Sequence, residues 1–167
     1  MAKAGKPVPE GFHMITLQLT VDGAAKAIEF YRKAFGAEEM YRAPGPDGKI
    51  MNAQLRFGDT MMMLNDEMQM GPGPAYSRAP TNLKGTTACI QLYVPDCDAL
   101  WKRAVDAGAK PVMPLMDAFW GDRYGQVVDP FGHVWAIATR KLDMTPEEMK
   151  KAGDEFMTSV AKQLPKK

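Results

Sequence analysis

A pattern of strand, helix and hairpin occurs twice in this sequence, about 73 residues apart. The segment Ile90-Gln91-Leu92-Tyr93-Val94 matches Leu17-Gln18-Leu19-Thr20-Val21 at an offset of 73, and Phe131-Gly132 matches Phe57-Gly58 at an offset of 74. Nearly constant offsets of this kind indicate a duplicated unit. In a chain of 167 residues, neither copy is long enough to bury both faces of its own sheet. The two copies are therefore predicted to pack together as one domain.

Within the first copy, alternating apolar and polar residues predict a strand. Apolar side chains occupy every second position from Ile15 to Val21, which is the period of a strand with one apolar face. The apolar stripe that follows predicts a helix that is capped by Asp22 and ended by Gly36. Two turn sequences, Pro46-Asp47-Gly48 and Gly58-Asp59, then separate three further strands. Each copy is thus predicted to be a βαβββ module.

The predicted fold class is α+β, with two βαβββ modules and an additional C-terminal helix. Thr145 and Glu148 have the spacing of a capping box at the start of that helix, and Pro146 suits its first position. The apolar stripe of this helix is expected to lie on this subunit or on a partner. The predicted segments are a flexible N-terminal arm at 1–13, the first module at 14–66, a linker at 67–86, the second module at 87–141, and the C-terminal helix and tail at 142–167.

Composition excludes several classes of function. The 21 Lys and Arg residues are interspersed with 20 Asp and Glu residues, so the formal charge of +1 gives no electrostatic footprint for nucleic acid. No apolar run reaches the roughly 18 to 20 residues that a membrane span requires, and residues 1–13 lack the apolar stretch of a signal peptide. The expected location is cytoplasmic, with Cys89 and Cys97 as reduced thiols rather than a disulfide.

Several segments of the sequence resemble the vicinal oxygen chelate superfamily, which includes glyoxalase I, bleomycin-resistance proteins and extradiol dioxygenases. The similarity lies in the duplicated module and in the segments Ile28-Glu29-Phe30-Tyr31, Phe35-Gly36-Ala37, Gly121-Asp122-Arg123 and Asp129-Pro130-Phe131-Gly132-His133-Val134-Trp135. Within the superfamily, the chain looks most like the PhnB-like branch. The resemblance implies an open eight-stranded glyoxalase-type barrel, a cavity between the curled sheets and a homodimer.

Metal-dependent members of the superfamily bind a divalent ion through His, Glu or Gln side chains on the first and last strands of the modules. Those positions correspond here to Thr16, Met62, Cys89 and Ala136, and Thr, Met and Ala do not supply the donors that such an ion needs. His13 and His133 are interpreted as a surface residue and a turn residue. The sequence therefore predicts no metal and no cofactor.

Three glutamines are candidate ligand-binding residues. If the apolar residues of the first strand face the helix, then Gln18 and its repeat partner Gln91 face the cavity, and Gln54 does so from a neighbouring strand. Neutral amides suit a polar ligand without a strong charge. Alternatively, the three amides satisfy one another or bound water.

A second candidate site is the segment Phe119-Trp120-Gly121-Asp122-Arg123-Tyr124-Gly125. Trp120 and Tyr124 could stack on a flat ligand, while Arg123 binds a carboxylate or phosphate and Asp122 orients the guanidinium. The alternative is a surface ion pair between Asp122 and Arg123 beside core aromatic residues.

The leading hypothesis is a metal-free member of the superfamily that binds a small organic ligand, either sequestering it or acting on it weakly, with no catalytic residue identified. One alternative is a glyoxalase-type lyase or isomerase with a relocated metal, or with Asp122 or Glu39 as the base. Another alternative is a structural interaction module whose barrel is filled.

Overall fold

The computed structural model describes residues 4–69, 72 and 77–163 of the chain. The first module contains β1 (Gln18–Val21), α1 (Ala24–Phe35), β2 (Glu38–Pro44), β3 (Ile50–Phe57) and β4 (Thr60–Asp66). A short helix, α2 (Pro80–Leu83), precedes the second module, which contains β5 (Cys89–Tyr93), α3 (Cys97–Asp106), β6 (Lys110–Asp117), β7 (Asp122–Val128) and β8 (Val134–Arg140). The chain then forms a long helix, α4 (Pro146–Gln163).

The eight strands form two four-stranded mixed sheets of equal topology. Their orders are β1-β4-β3-β2 in sheet A and β5-β8-β7-β6 in sheet B. In each sheet the first strand runs parallel to the last, and the other neighbours are antiparallel. As far as the described strands show, the sheets do not close on each other, which is consistent with an open barrel. The predicted α+β fold of two βαβββ modules with a C-terminal helix is confirmed.

Helix α1 is stabilised at its two ends by different parts of the chain. Gly36 ends it with a φ of 73°, as predicted. At the other end, the carboxylate of Asp66 accepts hydrogen bonds from the amides of Gly23 and Ala24 at 2.9 and 2.8 Å. The prediction that Asp22 caps this helix is therefore wrong, because the acceptor comes from the far end of β4 rather than from the adjacent residue.

The first strand is shorter than the alternation predicts. Regular pairing starts at Gln18, and only the carbonyl of Leu17 extends it, by accepting a hydrogen bond from the Met63 amide at 2.9 Å. Ile15 is 90% exposed rather than facing the helix. The alternation therefore predicted the strand but placed its start too early, because regular pairing with β4 begins only at Gln18.

The carboxylate of Asp129 joins the two modules inside the core. It accepts hydrogen bonds from the Tyr31 hydroxyl of α1 and the Trp135 indole of β8, both at 2.8 Å. His133 is buried near this point, and its Nε2–H donates to the carbonyl of Thr20 at 3.2 Å. His133 follows the β7–β8 turn as predicted, but its ring also holds the second module against β1.

The C-terminal helix starts with the predicted capping box. The Thr145 hydroxyl accepts a hydrogen bond from the Glu148 amide at 3.2 Å, and the Glu148 carboxylate accepts one from the Thr145 amide at 2.8 Å. Phe156 of this helix stacks on Phe119, with ring centroids 5.1 Å apart. No helix among the described residues has the length and apolar character needed to cross a bilayer.

Parts of the predicted arm, linker and tail lie outside the described residues, namely 1–3, 70, 71, 73–76 and 164–167. In the described part of the arm, the Gly11 carbonyl accepts a hydrogen bond from the Met61 amide at 3.2 Å. Flexibility of the arm stays a prediction.

Candidate functional site

A buried carboxylate surrounded by aromatic side chains lies at the start of β7. Asp122 is only 5% exposed, and its Oδ2 accepts hydrogen bonds from the Tyr93 hydroxyl and the Trp120 indole, both at 2.9 Å. Tyr93 comes from β5, and Trp120 from the turn before β7. Two donors on separate elements hold this carboxylate in one position.

Tyr124 extends the aromatic wall along β7. Its ring lies 5.2 Å from that of Trp120 in an edge-to-face arrangement, and its hydroxyl accepts a hydrogen bond from Gln126 at 2.6 Å. Alternation along a strand places Asp122, Tyr124 and Gln126 on the same face of sheet B. The wall is therefore built on a strand and fixed by packing and hydrogen bonds.

A cavity of about 400 Å³ opens beside this cluster, and we call it the Asp122 cavity. Three apolar side chains also line it: Leu142 and Met144, which follow β8, and Met149 of α4. Arg140 lies at its edge and forms an ion pair with Asp143 at 2.8 Å. The full lining is Tyr93, Trp120, Asp122, Arg140, Leu142, Met144 and Met149.

Asp122 and Arg123 do not act as a pair, because adjacent residues on a strand point to opposite faces. The Arg123 guanidinium contacts Asp98 of α3 at 2.9 Å and Asp117 of β6 at 3.5 Å. The prediction that Asp122 orients Arg123 is wrong, and so is the alternative of an ion pair between them. Trp120, Asp122 and Tyr124 come together as predicted, and Arg123 lies apart from them.

Tyr93 and Cys89, both on β5, have raised pKa values. The hydrogen bond to Asp122, followed by burial and the charge of Asp122, raises the pKa of the Tyr93 hydroxyl. Burial raises the pKa of the Cys89 thiol, which keeps it protonated. Tyr93 is thus a hydrogen-bond donor at neutral pH, and Cys89 lacks the depressed pKa of a reactive or metal-binding thiolate.

The three predicted glutamines do not form one cluster. Gln18 donates to Asn65 at 2.8 Å, so a neighbouring side chain satisfies its amide. Gln54 lines a different cavity of about 560 Å³ on sheet A, together with Pro7, Val8, Pro9, Phe12, His13, Met14, Thr16 and Met63. Gln91 is exposed on β5, opposite Ala136.

The register corrects one of the positions that correspond to metal ligands. Gln18 pairs with Met63, whereas its repeat partner Gln91 pairs with Ala136. The residue equivalent to Ala136 is therefore Met63, at an offset of 73, and not Met62. Met62 is 4% exposed and lies within the hydrophobic core.

The corrected positions do not fit a divalent ion. Thr16, Met63, Cys89 and Ala136 offer a hydroxyl, a thioether, a protonated thiol and a methyl group, which hard and borderline ions do not use as a set. The described parts of the chain contain no group of three His, Cys, Asp or Glu side chains arranged to hold a metal. His13 is exposed as predicted, and Glu39 is bound to Arg42 at 2.6 Å.

Several residues of the Asp122 cavity were not among the predicted site residues. Tyr93 shares the parity of Gln91 on β5, so alternation predicts that it faces the cavity, but its hydrogen bond to Asp122 is visible only in the structure. The other such residues come from the end of β8 and the chain after it, namely Arg140, Leu142, Met144 and Met149. No local sequence pattern predicts that this part of the chain folds back to the cavity.

Comparisons with known proteins agree with this architecture. The family model of the Glyoxalase/Bleomycin resistance protein/Dioxygenase superfamily matches residues 11–137. An uncharacterized protein of Mycobacterium tuberculosis is 49% identical over 135 residues, covering 80% of this chain and 78% of the relative. The structure of TioX from Micromonospora sp. ML1 matches with a TM-score of 0.62 at 24% identity, over 77% of this chain and 98% of that chain.

A more distant structural match is a PhnB protein from Bacillus cereus. It has a TM-score of 0.54 at 15% identity, over 76% of this chain and 99% of that chain, so it supports the fold alone. The family model covers well over half of the sequence. The chain therefore belongs to the Glyoxalase/Bleomycin resistance protein/Dioxygenase superfamily.

Proposed function

We propose that this protein binds a small organic ligand with a flat apolar part in the Asp122 cavity. The observation that carries the proposal is the combination of a fixed carboxylate, aromatic side chains and apolar side chains around an open space of about 400 Å³. Small-molecule sites are typically concave and largely apolar, with a few fixed polar groups, and have volumes of about 300 to 1,000 Å³. A filled barrel would offer no such space.

We propose that binding needs no metal. The positions that supply metal ligands elsewhere in the superfamily carry side chains that do not suit a divalent ion. Stacking on Trp120, contact with Met144 and Met149 and a hydrogen bond to Asp122 would supply affinity instead. Such a site can sequester a ligand without catalysing a reaction.

The similarity of the sequence segments to the PhnB-like branch supports placing this chain in that branch. This finer assignment is part of the proposal. It predicts a shared arrangement of modules and does not name a ligand.

We also propose that the protein is a homodimer in which α4 packs against the second copy. Met149, Phe156 and Met157 of this helix are 42%, 38% and 63% exposed. A helix depends on tertiary packing of its apolar face for most of its stability. The superfamily resemblance, which implies a homodimer, supports a second copy as the occupant of this face.

The dimer proposal is tested by sedimentation equilibrium of the full chain. Met157→Asp should weaken dimerisation, whereas Lys151→Asp, on an exposed position of the same helix, should not. A monomeric wild-type protein, or equal dimerisation of both variants, would contradict it.

The binding proposal is tested by a fragment screen with saturation-transfer NMR on the wild-type protein before and after treatment with EDTA. Aromatic fragments should bind in both conditions. Trp120→Ala should weaken their binding, and Arg123→Ala should not, because Arg123 points to α3. Binding that needs added metal, or that is equal in the wild type and Trp120→Ala, would count against the proposal.

A further inference from the structure

Asp122 differs from the two other buried aspartates that accept several hydrogen bonds. Both oxygens of Asp66 are used: Oδ1 by the amides of Gly23 and Ala24, and Oδ2 by the amide of Ile50. Both oxygens of Asp129 are also used, each by two donors. Asp66 and Asp129 are thus satisfied by the fold itself.

At Asp122 the two donors, Tyr93 and Trp120, share a single oxygen, Oδ2. No side-chain nitrogen or oxygen of a described residue is both fully buried and without a hydrogen bond. The contacts of the described residues show no donor to the Oδ1 atom, so this oxygen is not fully buried. Because Asp122 lines the cavity and its Oδ2 is already occupied, Oδ1 is the oxygen left to accept a hydrogen bond from a ligand there.

The charge of Asp122 is not balanced by an ion pair. None of the ion pairs between described residues includes it. Arg140, the basic residue in the lining of the cavity, is bound to Asp143 instead. A carboxylate that is removed from water needs a cation or several donors to offset its desolvation.

The walls beside Oδ1 are suited to the same kind of partner. Trp120 and Tyr93 present aromatic rings to the cavity, and the negative face of an aromatic ring attracts cations. An anionic ligand would meet the Asp122 carboxylate with the wrong sign, and Arg140, the cation of the lining, is already paired with Asp143. Charge and wall chemistry therefore select for the same ligand class.

We infer that the Asp122 cavity takes a cationic ligand, with a protonated amine or similar N–H cation on Oδ1 of Asp122 and its flat apolar body against Trp120 and the methionines of the lining. This inference rests on the proposed function and names the ligand class of that site. Asp122 is then the residue that determines specificity.

The test uses three molecules with the same ring and different charges: tryptamine, 3-methylindole and indole-3-acetate. Their affinities for the full-length protein are measured by isothermal titration calorimetry. Tryptamine should bind at least about tenfold more tightly than indole-3-acetate, as expected for an ion pair in a partly desolvated site. Asp122→Asn keeps the shape of the side chain and should abolish this preference.

Asp106→Asn is the matched control, because it removes the same charge from a side chain that is 61% exposed, pairs with Lys102 on α3 and lies outside the cavity lining. It should retain the preference for tryptamine. Far-UV and near-UV circular dichroism establish that both variants are folded. Should Asp122→Asn fail to fold, the wild type still provides the test: tryptamine affinity should fall as salt rises from about 0.02 to about 0.5 M, and 3-methylindole affinity should not.

Equal or tighter binding of indole-3-acetate would overturn the inference, and so would a tryptamine preference that survives in Asp122→Asn. Either result leaves ligand binding in the cavity standing. If none of the three molecules binds and the fragment screen also finds no ligand, the proposed function itself fails.

Discussion

Replacement of Asp66 by alanine should destabilise the protein far more than its position at the end of a strand suggests. The carboxylate accepts hydrogen bonds from three backbone amides, those of Gly23 and Ala24 at the start of α1 and that of Ile50 on β3, at 2.7 to 2.9 Å. Ala24 is 0% exposed and Ile50 is 3% exposed, so water cannot readily replace the lost acceptor at these two amides. Each unsatisfied buried donor costs about 1 to 3 kcal/mol. We expect a loss of about 3 to 5 kcal/mol, after allowing for hydration at the less buried Gly23.

The assay is urea denaturation at 25 °C, followed by circular dichroism and tryptophan fluorescence. Asp22→Ala is the matched control, since it removes an exposed carboxylate next to the same helix end and should change the free energy of unfolding by only about 0.5 kcal/mol. Asp66→Asn retains one acceptor oxygen and should fall between the two. Equal losses for Asp66→Ala and Asp22→Ala would refute the assignment of Asp66 as the cap.

Three further predictions concern the core, a turn and the surface. Burial, followed by the charge of Asp129, raises the pKa of Tyr31 well above its usual range, so the contribution of Tyr31 to stability is complete below about pH 10 and is lost as the pH rises further. In urea denaturation at about pH 8, Tyr31→Phe should lower the free energy of unfolding by about 1 kcal/mol. Between about pH 8 and about pH 11, the free energy of unfolding should fall less steeply for Tyr31→Phe than for the wild type. Gly132→Ala should lower the melting temperature clearly more than Gly58→Ala. Both glycines have positive φ, but a Cβ at Gly132 would lie 2.8 Å from Pro80, whereas a Cβ at Gly58 would meet open space. Equal decreases would show that the backbone conformation alone sets the cost of the substitution. Arg123→Ala should lower the stability of the protein, because the contact with Asp98 is lost. The affinity for tryptamine should stay unchanged within about twofold, because Arg123 lies on the opposite face of the sheet from the cavity. A larger change in calorimetric titration would show that Arg123 contributes to the site.

The repeat was sufficient to predict both modules because strand and helix periodicity are local properties. Alternation located β1 and β5, and the glycine after Phe35 located the end of α1. The same alternation placed Asp122 and Tyr124 together, since residues two apart on a strand share a face.

The cap of α1 could not be predicted from adjacent residues, because Asp66 lies 42 positions from Ala24 and only the parallel pairing of β1 with β4 brings it to the helix. In the second module Thr139 has the equivalent place, and its hydroxyl accepts a hydrogen bond from the Cys97 amide at 2.9 Å. A long-range contact of this kind depends on the register of the sheet. Local sequence preferences do not encode it.

The position of Met62 was mispredicted because the two hairpins differ in length. β3 and β4 are joined by two residues, 58 and 59, whereas β7 and β8 are joined by five, 129–133. Matching the glycines of the turns gives an offset of 74, but the strand register gives 73. A shift of one residue transfers a side chain from the cavity face to the core.

The proposal of a ligand in the Asp122 cavity that needs no metal is tested most directly by the indole N–H signals of the three tryptophans in ¹H–¹⁵N NMR spectra. Trp120 lines the cavity, Trp101 lies on α3, and Trp135 donates to Asp129 in the core. On titration with tryptamine in the presence of EDTA, we predict that the Trp120 signal, assigned with Trp120→Phe, moves while the Trp101 and Trp135 signals stay in place. An unchanged Trp120 signal, or a shift that appears only when a divalent metal is added, would contradict the proposal.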